Sequence, residues 1–193
     1  MKFKRKFLAI IGSQRKDGNS YLVVKTIFEA TKNDYEIIQL AEKEIKSCNF
    51  CGKCEFEECP LEDDFNQILG KMKKADGIIF SFPRYFFLPS KFSSFIERLV
   101  TPHHFKKYHG YKEIRPDPTI APPFKGKPSC LFVVSGSGWM GKELLKLVAY
   151  ELKRIGMKII DEVALKGDEK GDVLEDKKGI IKCKKSIKKL IYL

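Results

Sequence analysis

No apolar run in the chain approaches the roughly 20 residues of a membrane-crossing helix, which excludes a helical span. The basic start is followed by only five apolar residues, Phe7–Ile11, before Gly12. A secretory core needs about 7–15, so the expectation is a first strand in a protein that stays in the cytoplasm. Arginine is scarce: it supplies six of 37 basic residues against 25 acidic ones. Arginine is the preferred reader of phosphates and bases, so the net charge of +12 speaks for a solvated lysine face rather than a nucleic-acid module. The same charge suits docking of an acidic electron carrier such as ferredoxin. The glycine-containing loop after the first apolar run, Gly12–Ser20, is neither G-x-G-x-x-G nor a Walker loop, which argues against a Rossmann dinucleotide site and a P-loop there. There is no internal repeat.

What the chain does have is cysteine in one place. Cys48, Cys51, Cys54 and Cys59 fall within twelve residues as C-x2-C-x2-C-x4-C, followed by Pro60. Four soft thiolates this close can surround one compact metal centre, and the C-x2-C-x2-C register is the usual one for a cubane iron–sulfur cluster. Zinc sites split their ligands into two separated pairs, so zinc ranks low. There is no second such set, which excludes a two-cluster ferredoxin. Cys130 and Cys183 stand apart in apolar contexts and read as buried small hydrophobes.

Apolar patterning alternates strand and helix. Strands are expected at Phe7–Ile11, Tyr35–Leu40, Gly77–Phe82, Ser129–Ser135 and Lys158–Leu165. A helix capped by Asn19 or Ser20 runs to about Ala30. A second opens at Asp63 and Asp64, where the acidic pair suits a helix N-terminus. A third carries Phe92, Phe95, Ile96 and Leu99. A fourth runs from about Lys142 to Ile155 and ends at Gly156, and a last one occupies 176–193. The cluster loop, 45–62, follows the second strand. Residues 101–127 hold five of the nine prolines and all three histidines, His103, His104 and His109, and read as an irregular insertion. The histidines lack paired ligands at metal spacing and read as exposed loop residues. The whole, 1–193, reads as a single α/β domain: a parallel sheet covered on both faces, with ligands beyond the carboxyl ends of its strands.

Three strand-end loops then describe one pocket. Gly12–Ser20 leads from a strand into a helix N-terminus, a phosphate cradle in which Ser13, Asn19 and Ser20 add hydrogen bonds and Arg15 adds charge. Ser81–Ser90 is stiffened by two prolines and carries aromatic residues that can flank a planar ligand. The glycine-rich turn Ser135–Gly141 lets bare backbone approach a flat ring. A phosphate plus an aromatic ring system has the shape of FMN.

The run Gly-Ser-x-Arg-x-x-Gly-Asn-Ser, then the four cysteines, then Asp-Asp, then Pro-x-Tyr-Phe resembles the iron–sulfur flavoproteins over roughly residues 5–165. These belong to the NAD(P)H-dependent FMN reductase branch of flavodoxin-like proteins. The resemblance implies a doubly wound five-stranded sheet of order 2-1-3-4-5, one FMN and one [4Fe-4S] cluster per chain. It also implies a homo-oligomer, dimer or tetramer, that brings cluster and flavin of neighbouring subunits close. Carried over by position, Ser13, Arg15, Asn19 and Ser20 would hold the FMN phosphate. Pro83, Arg84, Tyr85 and Phe86 would line the ring, and Ser135, Gly136 and Gly138 would complete its pocket. Cys48, Cys51, Cys54 and Cys59 would ligate iron. Arg84 departs from the small aliphatic residue usual there, and Glu97 from the usual Asp. The expected function is electron transfer between a one-electron donor such as ferredoxin and an acceptor. The alternatives are an NAD(P)H-dependent FMN or quinone reductase without a functional cluster and, lower, a basic nucleic-acid-binding module. No protein nucleophile or general base is called for, because the cofactors would carry the chemistry.

Overall fold

Hydrophobic runs with β-branched residues make the strands, and in β1 (Lys6–Ile11) five consecutive residues are buried. Such a run fits a strand covered on both faces. Leu8 and Ile10 point to one face of the sheet, and Phe7, Ala9 and Ile11 to the other. The computed structural model describes residues 5–31, 33–51, 53, 58–108, 122–136 and 140–193, with only the backbone of 102–108.

After β1 come α1 (Asn19–Phe28), β2 (Asp34–Gln39), α2 (Phe65–Lys74), β3 (Gly77–Pro83) and α3 (Ser90–Tyr108). Then follow β4 (Pro128–Ser135), α4 (Gly141–Arg154), β5 (Lys158–Lys166) and α5 (Lys177–Ile191). The strands pair in parallel in the order β2-β1-β3-β4-β5, which is the expected flavodoxin-like sheet. The helices α2, α3 and α4 cover one face with Ile68, Phe95 and Val148, and α1 and α5 cover the other with Val24 and Ile187. Because every strand runs the same way, the loops after β1, β3, β4 and β5 all emerge at one edge.

Three local expectations change. The helix after β3 does not stop near Val100; α3 continues through Pro102 to Tyr108, so the first part of the 101–127 insertion is helical. A proline removes one ladder bond, which can bend a helix without ending it. The cap of α1 is Gly18, not Asn19 or Ser20, and no side chain bonds the first turn. The last helix begins at Lys177, where the Asp176 carboxylate accepts from the Gly179 amide. Residues 109–121, with His109, and the side chains of His103 and His104 lie outside the described residues. Cys130 and Cys183 are fully buried, as expected of small core residues. Burial, and then the charge of Asp161, pushes the Cys130 thiol up to about 12.

Candidate functional site

The Gly12 amide donates to Ser81 O at 2.8 Å, prolonging the β1–β3 ladder into the loop. A side chain at Gly12 would collide with the Phe92 ring at 2.6 Å, so glycine is required by the helix packed behind it. The loop then folds back on itself, and Ser13 Oγ accepts from the Arg15 amide at 3.0 Å. The helix ladder of α1 starts with Tyr21 and Leu22 donating to Gly18 O, and the first turn carries no acidic residue. The positive end of the helix dipole therefore stands without an acidic side chain in that turn, beside Arg15. Ser20 Oγ is buried there with no hydrogen-bond partner among the described residues.

Asn19 lines the same cleft and also ties two loops together. Its Nδ2 donates to Glu169 O and its Oδ1 accepts from the Gly171 amide, both at 2.8 Å. Lys170 also pairs with Asp17. These contacts clamp the loop after β5 onto the phosphate-type loop.

On the ring side, the Arg84 amide donates to Val134 O at 2.8 Å, so β3 and β4 stay locked up to the cleft. Pro83, Arg84 and Tyr85 line that cleft together with Ser13, Arg15, Gly18, Asn19, Ser20, Val134 and Gly136. Phe86 does not; it is 98% exposed at the rim. Ser135 lies just outside the lining, and its Oγ is buried without a partner among the described residues. Gly138 lies outside the described residues. A Cβ at Gly136 would sit 2.7 Å from the Asp168 carboxyl, so only glycine leaves this approach open. Sequence reasoning missed Gly167, Asp168 and Lys170, which complete the cleft from the end of β5. The signal was present: a parallel sheet brings its β5 loop to the same edge as the others.

The cysteine loop is pinned at both ends. Asp63 accepts from the Lys46 amide at 2.7 Å and Asp64 from the Glu44 amide at 2.8 Å. Asn66 accepts from the Cys59 amide at 3.0 Å and donates to the Cys59 carbonyl at 2.7 Å. Arg98 of α3 closes the knot: Nη1 donates to Asp63 Oδ2 and, at 3.1 Å, to Lys46 O, while Nη2 donates to Asp63 Oδ1 at 3.1 Å. The acidic pair at the start of α2 thus does more than face a helix dipole. Burial opposes both charges of the pair. Even so, the bond with Arg98 and the amides of Lys46 and Phe65 hold Asp63 below its ordinary value. The bond with Asp63, and next the neighbouring Cys59, hold Arg98 above its own.

Cys48, Cys51 and Cys59 are free thiols, the first and last half-buried and Cys51 exposed. Phe50, at φ +53°, turns its amide back to donate to Cys48 Sγ at 3.4 Å. Cys54 lies outside the described residues. Among the described residues no three His, Cys, Asp or Glu side chains converge as a metal site. The chemistry of the donors nonetheless fits a cluster: soft thiols, an amide already directed at one sulfur, and a buried cation beside another.

The family model described as NADPH-dependent FMN reductase matches residues 5–170. An iron-sulfur flavoprotein of Methanocaldococcus jannaschii is 44% identical over 85 residues, 42% of this chain and 44% of that protein. An iron-sulfur flavoprotein of Archaeoglobus fulgidus is 39% identical over 84 residues, 42% of this chain and 41% of that protein. The chain thus spans less than half the length of these curated relatives. Among solved structures, the NAD(P)H:quinone oxidoreductase from Methanothermobacter marburgensis superposes with a TM-score of 0.64 at 14% identity. That match covers 95% of this chain and 97% of the other. The Trp repressor binding protein from Bacillus subtilis gives 0.67 at 19% identity, covering 93% and 98%. At such identities the likeness is one of fold.

Proposed function

The chain belongs to the NADPH-dependent FMN reductase family, and from that membership we propose that it is an iron–sulfur flavoprotein. In this reading it is an oxidoreductase that passes electrons between a one-electron carrier such as ferredoxin and an acceptor, using FMN and a [4Fe-4S] cluster. The observation that carries the flavin half is Ser20 Oγ, which lines the cleft where the loops meet and is buried with no hydrogen-bond partner among the described residues. Buried polar groups are rarely left unbonded, so this hydroxyl asks for a ligand atom. Arg15 and the N-terminus of α1 would bind the phosphate. Pro83, Arg84 and Tyr85 would flank the ring, and Gly136 would admit its edge against bare backbone.

The four thiols would hold the iron. Donors to the sulfurs, such as the Phe50 amide on Cys48, would tune it. Bound there, FMN supplies one- or two-electron chemistry and the cluster one-electron chemistry. The exposed Tyr85, Phe86 and Phe87 at the rim of the cleft support a homo-oligomeric contact that brings a neighbouring subunit to the flavin edge.

Anaerobic reduction tests the reading. Reduction by ferredoxin, with bleaching of both a flavin band and a broad iron–sulfur absorbance, is the expected result. Rapid flavin reduction by NADPH in a protein that holds no iron would favour the second reading, a plain FMN or quinone reductase, which the family's name supports.

A further inference from the structure

The Arg98 guanidinium is almost sealed from water, with 1% of its side chain exposed. Its two terminal nitrogens are spent on Asp63 and Lys46, and its plane lies over the Phe65 ring at 4.3 Å. Its Nε is buried and has no nitrogen or oxygen partner among the described residues. The sulfur beside it is that of Cys59, whose backbone Asn66 fixes on both sides. A buried N–H without a partner calls for an acceptor. A thiolate sulfur supplies one, and an iron-bound thiolate keeps its negative charge.

We propose that Arg98 is a positioning residue for the iron–sulfur centre: its buried cation orients Cys59 and raises the reduction potential of the cluster that Cys59 ligates. The proposal rests on the reading of the four cysteines as a cluster site. Reduction adds one negative charge to the centre. A fixed cation in a poorly screened site stabilises the reduced state more than the oxidised one. Arginine suits the task where lysine would not, because its rigid fork holds the Asp63 carboxylate with two nitrogens and leaves a third free. Asp63 aligns the guanidinium and partly offsets its charge. Removing either partner should therefore move the potential in opposite directions, which a merely structural disturbance would not do.

The test uses the whole chain, purified anaerobically as wild type, Asp63→Asn and the double variant Asp63→Asn/Arg98→Met. Iron, sulfide and FMN are measured, and the cluster is titrated against potential by EPR. In the double variant, the reduced-to-oxidised ratio at a fixed potential is expected to fall at least tenfold against Asp63→Asn, about 59 mV for a one-electron couple. In Asp63→Asn alone the ratio is expected to rise at least threefold above wild type. A double variant that loads iron normally and titrates within twofold of Asp63→Asn overturns the proposal and leaves the cluster reading standing. A wild type without iron overturns both. If the double variant loads no iron, Asp63→Asn decides: an upward shift supports the proposal, and an unchanged or lower potential overturns it.

Discussion

Asp63 and Arg98 are nearly inaccessible to water, yet both are charged, and neither announces itself in the sequence. Asp63 sits in an acidic pair that fits a helix start, and Arg98 is one basic residue among 37. Their contact spans 35 positions, so no local pattern could reveal it. The energetics are asymmetric. A buried pair need not add much net stability, but breaking one leaves a buried charge, at a cost of about 3–5 kcal/mol. Asp63→Asn is therefore expected to destabilise the protein by that order at neutral pH. Because Asp63 is held below its ordinary 3.8, its contribution is complete above that value and is lost as pH falls through the lowered one. Urea unfolding of wild type and variant should thus show a wide gap at pH 7 that narrows below about pH 3.8. A constant gap would mean that the carboxylate charge is not what Arg98 holds.

At the scale of elements, the loop between β1 and α1 combines packing and binding demands on neighbouring positions. Gly12→Ala would press a methyl group into Phe92 and Phe82. A loss of about 1–3 kcal/mol in thermal or urea unfolding is expected for such overpacking. Ser20→Ala should act in the opposite sense on the apoprotein, because it deletes a buried hydroxyl with no partner among the described residues. It should leave stability unchanged or slightly raised, yet weaken FMN about tenfold or more, the order expected for losing a hydrogen bond to a charged group. Riboflavin, which has no phosphate, should bind both proteins alike in a flavin-fluorescence titration.

The alternation of strand and helix was legible from apolar runs because burial on both faces of a parallel sheet leaves a continuous signal. Where local chemistry competed, it was not. Pro102 counted toward an irregular insertion and lies inside α3. Asn19 does not cap α1, and its side chain holds the β5 loop across 150 residues of chain. Eight of the expected flavin residues share one cleft because strand ends converge. The cysteine loop gained an anchor, Asp63, Asn66 and Arg98, that only tertiary structure reveals.

At the scale of the whole molecule, the lysines of α5 lie mostly on its solvent side, which accords with a solvated face. A net charge of +12 would speed encounter with an acidic carrier over distances comparable to the Debye length. The second-order rate of reduction by ferredoxin should fall steeply between low and physiological salt, while reduction by a small neutral reductant should not. Equal salt dependence would remove the electrostatic docking proposed here. The central claim, that one chain pairs a flavin with an iron–sulfur cluster held by Cys48, Cys51, Cys54 and Cys59, is tested most directly by an EPR redox titration. The protein is purified anaerobically, with iron and sulfide counted on the same sample. The predicted result is one FMN and about four irons per chain, with a reduced-cluster signal that disappears in Cys59→Ser while FMN is retained. Flavin alone, without iron or sulfide in protein never exposed to air, would contradict it.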